Sequence, residues 1–196
     1  MNIFIEQTDE QTEPRWEHIQ WGHVAKNVRR LQERIYRATQ RQDWKKVRSL
    51  QKLLVKATSN KLLAIRRATQ ENQGKHTPGV DGVVCDTPEA RMALSREDWS
   101  LKTYRPIPVR RVYIPKDNGK ERSLGIPTIK DRVMQAIVKA ALEPEWEARF
   151  EANSYGFRPG RNCMDAITQI HTTLNQKGSS PWILDADISG CFDLTC

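Results

Sequence analysis

The chain has 196 residues, of which 38% are hydrophobic and 29% charged, and its formal net charge is +8. This length allows one domain with a real core, or a small domain and part of another. No apolar run approaches the roughly 18 residues that a membrane-spanning helix needs. The start of the chain lacks the features of a signal peptide, and the four cysteines lack metal-ligand spacing. We therefore expect a cytoplasmic protein with reduced thiols.

The positive charge is concentrated in two blocks. Residues 15–75 hold 16 Lys and Arg against four acids, and residues 101–135 hold nine against three. Residues 1–14, in contrast, hold four acids and no base. A basic block attracts polyanions, although one such block is equally typical of a solvated helix face. Two blocks on one chain favour a nucleic-acid partner.

The first basic block, up to residue 72, is predicted to be helical. Apolar residues recur at steps of three and four from Trp21 to Ala38, which indicates an amphipathic helix. Arg29 and Arg30 lie mostly off its apolar stripe. Asp43 can cap a second helix, and a break is expected at residues 58–60. Such a basic helical hairpin suits RNA-backbone contact or plain packing equally well.

A loop and a β-hairpin follow. The three glycines and one proline of NQGKHTPGVDG, residues 72–82, predict a turn-rich loop, and residues 88–100 are predicted to form a short helix. One strand is predicted over Val109–Ile114 and another over Leu124–Ile126. KDNGKE between them predicts a hairpin, because Asn-Gly readily adopts the positive φ angles of a tight turn.

A long helix is predicted next, with Thr128 as its cap and Asp131 as the capping-box partner. Pro144 is expected to kink or restart this helix. The loop ANSYGFRPGRNC, residues 152–163, carries two arginines and two glycines. Another helix is predicted through Ala166–Leu174.

The chain ends in WILDADISGCFDLTC, in which a predicted strand over 182–189 carries Asp185 and Asp187 and precedes Asp193. D-x-D-x-S-G resembles the start of an EF-hand loop, but the twelfth position is Cys196 instead of an acid. A haloacid-dehalogenase-type phosphatase site also begins with a strand and D-x-D. It needs most of its sheet and its magnesium ligands downstream, and only nine residues follow Asp187.

A polymerase palm fits the terminal pattern better. Two-metal nucleotidyl transfer needs carboxylates on adjacent strands. The first carboxylate ends a buried strand, and an aromatic residue shortly after it can pack against the sugar of the incoming nucleotide. Asp187 and Phe192 have this arrangement. On the terminal pattern alone, the simpler alternative stays open: surface aspartates that bound an edge strand.

Four sequence blocks occur in the order found in group II intron reverse transcriptases, the intron-encoded proteins with maturase activity. They are KHTPGVDG, VRRVYIPKDNGKERSLGIPTIKDRVMQ, SYGFRPGRN and ILDADISGCFD. The chain resembles this family over about residues 15–193. Asp131, Arg132 and Gln135 belong to the recognisable signature of the second block.

The resemblance implies an α+β fold, in which a basic helical extension precedes the fingers and first strand of a right-hand polymerase palm. The implied divisions are an acidic tail at 1–14, the helical extension at 15–100, fingers at 101–180, and an incomplete palm start at 181–196.

The resemblance also gives roles to individual residues near the expected active site. Lys116 and Arg122 match the fingers residues that hold the triphosphate of the incoming nucleotide. Asp187 matches the metal-binding aspartate of the first catalytic motif, and the carbonyl of Ile188 is a plausible second ligand of Mg²⁺. Phe192 matches the aromatic position that screens for the deoxy sugar.

Further arginines match nucleic-acid contacts in this family. Arg158 and Arg161 match template contacts, although an arginine in a Gly/Pro loop can also brace the fold. Arg29 and Arg30 belong to the basic extension, which contacts intron RNA or the template.

Family members continue with a second catalytic strand that reads Tyr-Ala-Asp-Asp, and these 196 residues contain no Asp-Asp pair. We therefore expect part of an RNA-directed DNA polymerase that acts in intron splicing and mobility and is inactive alone. A truncated or frameshifted reading frame is the most economical origin for such a chain. The competing hypothesis is a stand-alone RNA-binding module that uses the two basic blocks without catalysis.

Overall fold

The computed structural model describes residues 15–117, 119, 121–178, 180 and 182–188. The chain divides into two compact units that meet in sequence at Arg149 and Phe150. Six α-helices and one two-stranded sheet are present in the described part, in agreement with the expected α+β class. None of these helices is long and apolar enough to cross a membrane.

The helices and strands have the following bounds in chain order. The helices are α1 (Trp21–Gln40), α2 (Trp44–Lys56), α3 (Thr58–Arg66), α4 (Pro88–Arg96), α5 (Ile129–Glu147) and α6 (Cys163–Leu174). The strands are β1 (Arg110–Pro115) and β2 (Glu121–Ile126). Short helical turns lie at Trp16–His18, Arg67–Glu71 and Gln73–His76.

Helices α1 and α2 form the predicted basic hairpin. The apolar stripe of α1 is buried, while Arg29 and Arg30 are exposed. Asp43 caps α2 as predicted, because its Oδ1 accepts a hydrogen bond from the Lys46 amide at 3.1 Å. The break after α2 lies at Ala57, one residue before the predicted range. Asn60 is instead a buried residue of α3.

Helix α5 is the element on which the first unit is packed. It contacts α1, α2 and α3, and its residues Ile129, Val133 and Ile137 are almost fully buried. Burial of each such side chain stabilises the fold by roughly 1.5–3 kcal/mol relative to leaving it exposed. Asn60 adds a polar link, since its Nδ2 donates to the carbonyls of Leu54 and Ile137 at 3.1 Å each.

Pro144 lies inside α5, which continues to Glu147, so the expected restart of the helix does not occur. A proline has no amide hydrogen, and the carbonyl four residues earlier loses its usual donor. That carbonyl belongs to Ala140, and Gln32 of α1 donates its Nε2 to it at 3.0 Å. The neighbouring helix thus supplies the missing donor.

The β1–β2 hairpin is present as predicted. Strand β1 is shifted by one residue from the predicted range, and β2 begins three residues earlier than predicted. Arg110 pairs with Ile126 and Pro115 with Glu121 in antiparallel register. Gly119 has φ +75°, and its amide donates to the Lys116 carbonyl at 3.0 Å. A positive φ favours glycine, which is why the connection can reverse here.

Arg132, near the start of α5, holds the loop at 72–82. Its Nη1 donates to the Gly74 carbonyl at 2.8 Å and its Nη2 to the Thr77 carbonyl at 2.6 Å. Its Nε donates to the Pro127 carbonyl at 3.0 Å. Burial lowers the pKa of this guanidinium, but an arginine stays charged at neutral pH. We call these three contacts the Arg132 clasp.

Gly79 brings the same loop into backbone contact with the start of α5. A Cβ atom at this position would lie 2.7 Å from the Cα and 2.8 Å from the amide nitrogen of Thr128. Backbone atoms cannot move aside as a flexible side chain can, so only glycine fits here. The first two family blocks are therefore packed directly against each other.

The second unit consists of a loop, α6 and a terminal segment. Asn162 and Asp165 form a capping box at the start of α6. The strand predicted over 182–189 is wrong for its described part, because residues 182–188 form neither helix nor strand. Trp182 is 86% exposed and Leu184 91%. An apolar strand needs a paired neighbour and a covered face, and the described residues provide no strand beside it.

Replacing Arg132 by glutamine is expected to loosen the loop at 72–82. The variant loses a charged donor shared among three carbonyls, which should lower the free energy of unfolding by about 3 kcal/mol. Chemical denaturation measures this loss, and the rate of tryptic cleavage after Lys75 should rise. Lys130→Gln is the matched control, because it removes only an exposed ion pair with Glu97. Equal effects of both variants would contradict the clasp.

Candidate nucleic-acid interface

The β-hairpin presents two of the predicted nucleotide-binding residues to solvent. Arg122 lies directly opposite Ile114, so the two side chains share one face of the hairpin. Lys116 follows β1, and both cations are exposed. Neither forms an ion pair with an acid in the part of the chain that the structure describes. Exposed cations of this kind can bind an anionic ligand such as a triphosphate.

The start of α5 contains a buried polar network that holds the hairpin's entry segment. Asp131 is buried, and its Oδ2 accepts from the Thr128 hydroxyl at 2.7 Å. The Tyr104 hydroxyl donates to the other carboxylate oxygen. Thr128 caps α5 as predicted, since its Oγ1 accepts from the Asp131 amide at 3.1 Å. Asp131 is thus fully engaged within the fold.

The same network sets the protonation of Tyr104. Burial raises the pKa of its hydroxyl well above the ordinary value, and the hydrogen bond to Asp131 raises it further. Tyr104 therefore stays protonated and remains a donor throughout the physiological pH range. The sequence offered no signal for this contact, because 27 residues separate the two partners.

The two arginines of the GFRPGR loop lie in different surroundings within the second unit. Arg158 is buried, and its Nη1 donates to the carbonyls of Glu151 at 2.8 Å and Ser154 at 2.6 Å. These contacts brace the loop, which is the alternative that the Gly/Pro composition left open. Arg161 is exposed, with its guanidinium 5.5 Å from the Tyr155 ring centre. Their contacts with a template stay a prediction.

The predicted metal ligands lie in the terminal segment of the second unit. Asp187 is exposed, and its Oδ1 accepts from the Ile188 amide at 2.8 Å. A carboxylate is a ligand type that Mg²⁺ prefers, but the ion demands near-octahedral coordination. No group of three or more possible metal-ligating side chains occurs among the described residues. The roles of Asp187 and Ile188 as metal ligands stay a prediction, and Phe192 lies outside the described residues.

The basic face of α1 is open to solvent. Arg29 lies 3.7 Å from Glu33 in an exposed ion pair, and Arg37 contacts the same carboxylate at 3.7 Å. Arg30 is exposed and has no acidic partner in the described part of the chain. Exposed pairs of this kind are weak, so this face retains much of its positive potential.

Two family models match the chain in succession. The model described as the N-terminal domain of reverse transcriptase matches residues 16–97. The model described as reverse transcriptase (RNA-dependent DNA polymerase) matches residues 114–194. The first model includes almost all of the first basic block and the motif KHTPGVDG. The second includes the other three motifs, apart from residues 109–113 at the start of the hairpin.

Curated relatives agree with these models. The chain is 42% identical over 151 residues to Protein YkfC of Escherichia coli, which covers 74% of this chain and 40% of that protein. It is 40% identical over 124 residues to the group II intron-encoded protein LtrA of Lactococcus lactis, and this match covers 62% of this chain and 20% of that protein. It is 32% identical over 146 residues to maturase-like protein 1 of Euglena gracilis, and this match covers 73% of this chain and 31% of that protein.

The chain thus spans at most 40% of the length of these three relatives. The segments that the two family models match contain the exposed hairpin cations, the residues of the Arg132 clasp and the GFRPGR loop. The chain therefore belongs to the reverse transcriptase family of group II intron-encoded proteins and maturases, and its 196 residues correspond to a part of such a protein.

Proposed function

We propose that this chain provides the RNA-binding extension and the fingers of an RNA-directed DNA polymerase that acts in intron splicing and mobility. The observation that carries the proposal is the β-hairpin, which presents Lys116 and Arg122 to solvent beside α5. The antiparallel pairing of β1 and β2 fixes Arg122 opposite Ile114, with Lys116 directly after β1. A paired hairpin therefore loses less entropy on binding one anionic ligand than an unpaired loop would. The triphosphate of an incoming nucleotide is the ligand that this pair suits.

The proposed divisions follow the family pattern. Residues 15–100 form the helical extension, 101–180 the fingers, and 181–196 the start of the palm. Packing of α1, α2 and α3 on α5 supports a stable extension, although α5 itself falls within the proposed fingers. Arg161 is proposed to contact the template, and its exposure supports this role. The burial of Arg158 and its bonds to two carbonyls support its alternative role, in which it braces the loop that carries Arg161.

The proposed catalytic role of Asp187 is to bind Mg²⁺ together with the Ile188 carbonyl, with Phe192 beside the sugar. Two-metal transfer needs carboxylates on more than one strand. Asp187 is exposed without a neighbouring cluster of ligands among the described residues. We therefore assign no catalytic step to these residues alone.

A non-catalytic RNA-binding module is the second candidate function. The specific observation in its favour is the contrast between the isolated Asp187 carboxylate and the many exposed cations of α1, α2 and the hairpin. Such a module would bind RNA with strong salt dependence and would need no metal.

A polypeptide of these 196 residues is expected to show no DNA synthesis on poly(rA)/oligo(dT) with Mg²⁺, because it lacks the Asp-Asp pair of the second catalytic strand. Primer extension resolved on a gel measures this directly. A longer chain of the same family that contains Tyr-Ala-Asp-Asp serves as the positive control. Robust synthesis by the 196-residue polypeptide would contradict the prediction and remove the case for the non-catalytic alternative.

The double variant R29Q/R30Q is expected to bind RNA several-fold more weakly than the unchanged chain at low salt. If both arginines contact phosphates, the slope of log K against log[salt] should fall in magnitude by about 1.4 for single-stranded RNA. Fluorescence anisotropy at several NaCl concentrations measures both effects. The charge-matched control is K46Q/K177Q, at two other exposed lysines. An unchanged slope in R29Q/R30Q would show that this face does not contact RNA.

A further inference from the structure

A groove of about 960 Å³ lies in the first unit, on a different helix from the Arg29 and Arg30 face. It is lined by α2, the start of α3, residues 97–102 and α5. Three of its cations, Arg48, Lys52 and Lys56, follow one another at intervals of four residues along α2. At 1.5 Å per residue, this row is about 12 Å long. We call it the α2 cation row.

Three of the five cations of this groove are available to a ligand, and Arg48 and Lys61 donate to backbone carbonyls. Lys52, Lys56 and Lys102 are exposed, and none pairs with an acid in the described ranges. Lys61 donates to the Ser95 carbonyl at 3.1 Å, and burial lowers the pKa of its ammonium group. The groove therefore has a strongly positive wall.

The two acids that line the groove already have partners. Glu97 forms an ion pair with Lys130. Asp98 accepts from the Thr103 hydroxyl at 2.8 Å and from the Ser100 amide at 2.9 Å. Lys130 offsets the charge of Glu97, whereas Asp98 keeps its negative charge. Five cations line the groove against these two acids, so its net charge remains positive.

The floor of the groove is apolar. It is formed by Val55 of α2 and by Val138, Ala141 and Leu142 of α5. Leu142 remains 42% exposed. An apolar floor beside a row of cations suits a linear polyanion that also has apolar flat faces.

An exposed aromatic cluster adjoins the groove. The Arg149 guanidinium lies 5.7 Å from the Trp44 ring centre and 4.8 Å from that of Trp146. Gln51, which lines the groove, donates to Glu145 at 2.7 Å, and Glu145 pairs with Arg149 at 3.2 Å. Trp44 is 40% exposed and Trp146 46%. Exposed indole rings are surfaces on which nucleobases stack.

We infer that this groove binds a segment of single-stranded RNA, with phosphates along the α2 cation row and unpaired bases against the apolar floor and Trp44. The inference rests on the proposed RNA-binding function and adds a second site to it. A duplex hides the faces of its bases, so only a single strand can use both the cations and the floor. The aromatic cluster favours RNA over an acidic peptide, because every nucleotide carries a base that can stack, whereas only the aromatic residues of a peptide can.

The test uses the 196-residue chain and a fluorescein-labelled oligouridylate of 12 nucleotides. K52Q/K56Q should bind about tenfold more weakly, and its salt slope should fall in magnitude by about 1.4. K46Q/K177Q is the matched control: it removes the same charge, position 46 lies about 120° around α2 from Lys52 at the middle of the row, and Lys46 does not line the groove. Unfolding curves establish that each variant is folded.

A second pair of variants leaves the charge unchanged. Trp44→Ala should weaken binding of the oligouridylate at least about fivefold through lost stacking, and Leu142→Ala should weaken it about twofold to threefold. Neither variant should change binding of a 12-base-pair RNA duplex. A loss that is equal for duplex and single strand would overturn the assignment of bases to the floor.

The remaining outcomes separate this inference from the proposed function. If the unchanged chain binds no RNA at low salt, both are wrong. If it binds RNA but K52Q/K56Q and Trp44→Ala bind equally well, only the groove assignment is wrong. Deletion of the acidic residues 1–14 should change the affinity for the oligouridylate by less than about threefold. A gain of more than about tenfold that disappears in K52Q/K56Q would instead assign the groove to that acidic segment.

Discussion

The burial of α5 is the constraint on which the first unit depends. A helix that is covered by three others must find partners for its polar groups, because an unpaired buried carbonyl is costly. Each requirement is met by a different part of the chain: Thr128 caps the first turn, Asn60 reaches the Ile137 carbonyl, and Gln32 replaces the donor that Pro144 lacks. The Arg132 clasp then ties the loop at 72–82 to the same helix.

The packing of α1 and α2 on α5 determines where their cationic side chains lie. The apolar stripes of α1 and α2 turn inward, so their Lys and Arg side chains lie outside, in separate strips on each helix. The β-hairpin adds a third set of cations beside the start of α5. Cationic strips on separate elements can each contact a different part of an extended polyanion.

The second unit leaves several of its apolar side chains exposed. Its loop is internally braced by Arg158, but α6 exposes Met164, Ile167 and Ile170, and the terminal segment exposes Trp182 and Leu184. Hence the residue most closely tied to polymerase chemistry, Asp187, lies in an exposed segment without regular secondary structure. The RNA-binding proposals rest on packed elements, whereas the metal-binding proposal rests on the family pattern.

The sequence by itself determined the helix of the first basic block, the Asp43 and Thr128 caps, the hairpin at KDNGKE and the family. These features depend on spacing within a few residues, or on ordered blocks that few families share. Only the tertiary structure decided that Arg132 holds a loop more than 50 residues away, that Arg158 turns inward, and that residues 182–188 form no strand. Local patterns specify which face of an element is apolar. They do not specify the distant partner that covers it, and the partner decides whether a polar side chain braces the fold or remains available to a ligand.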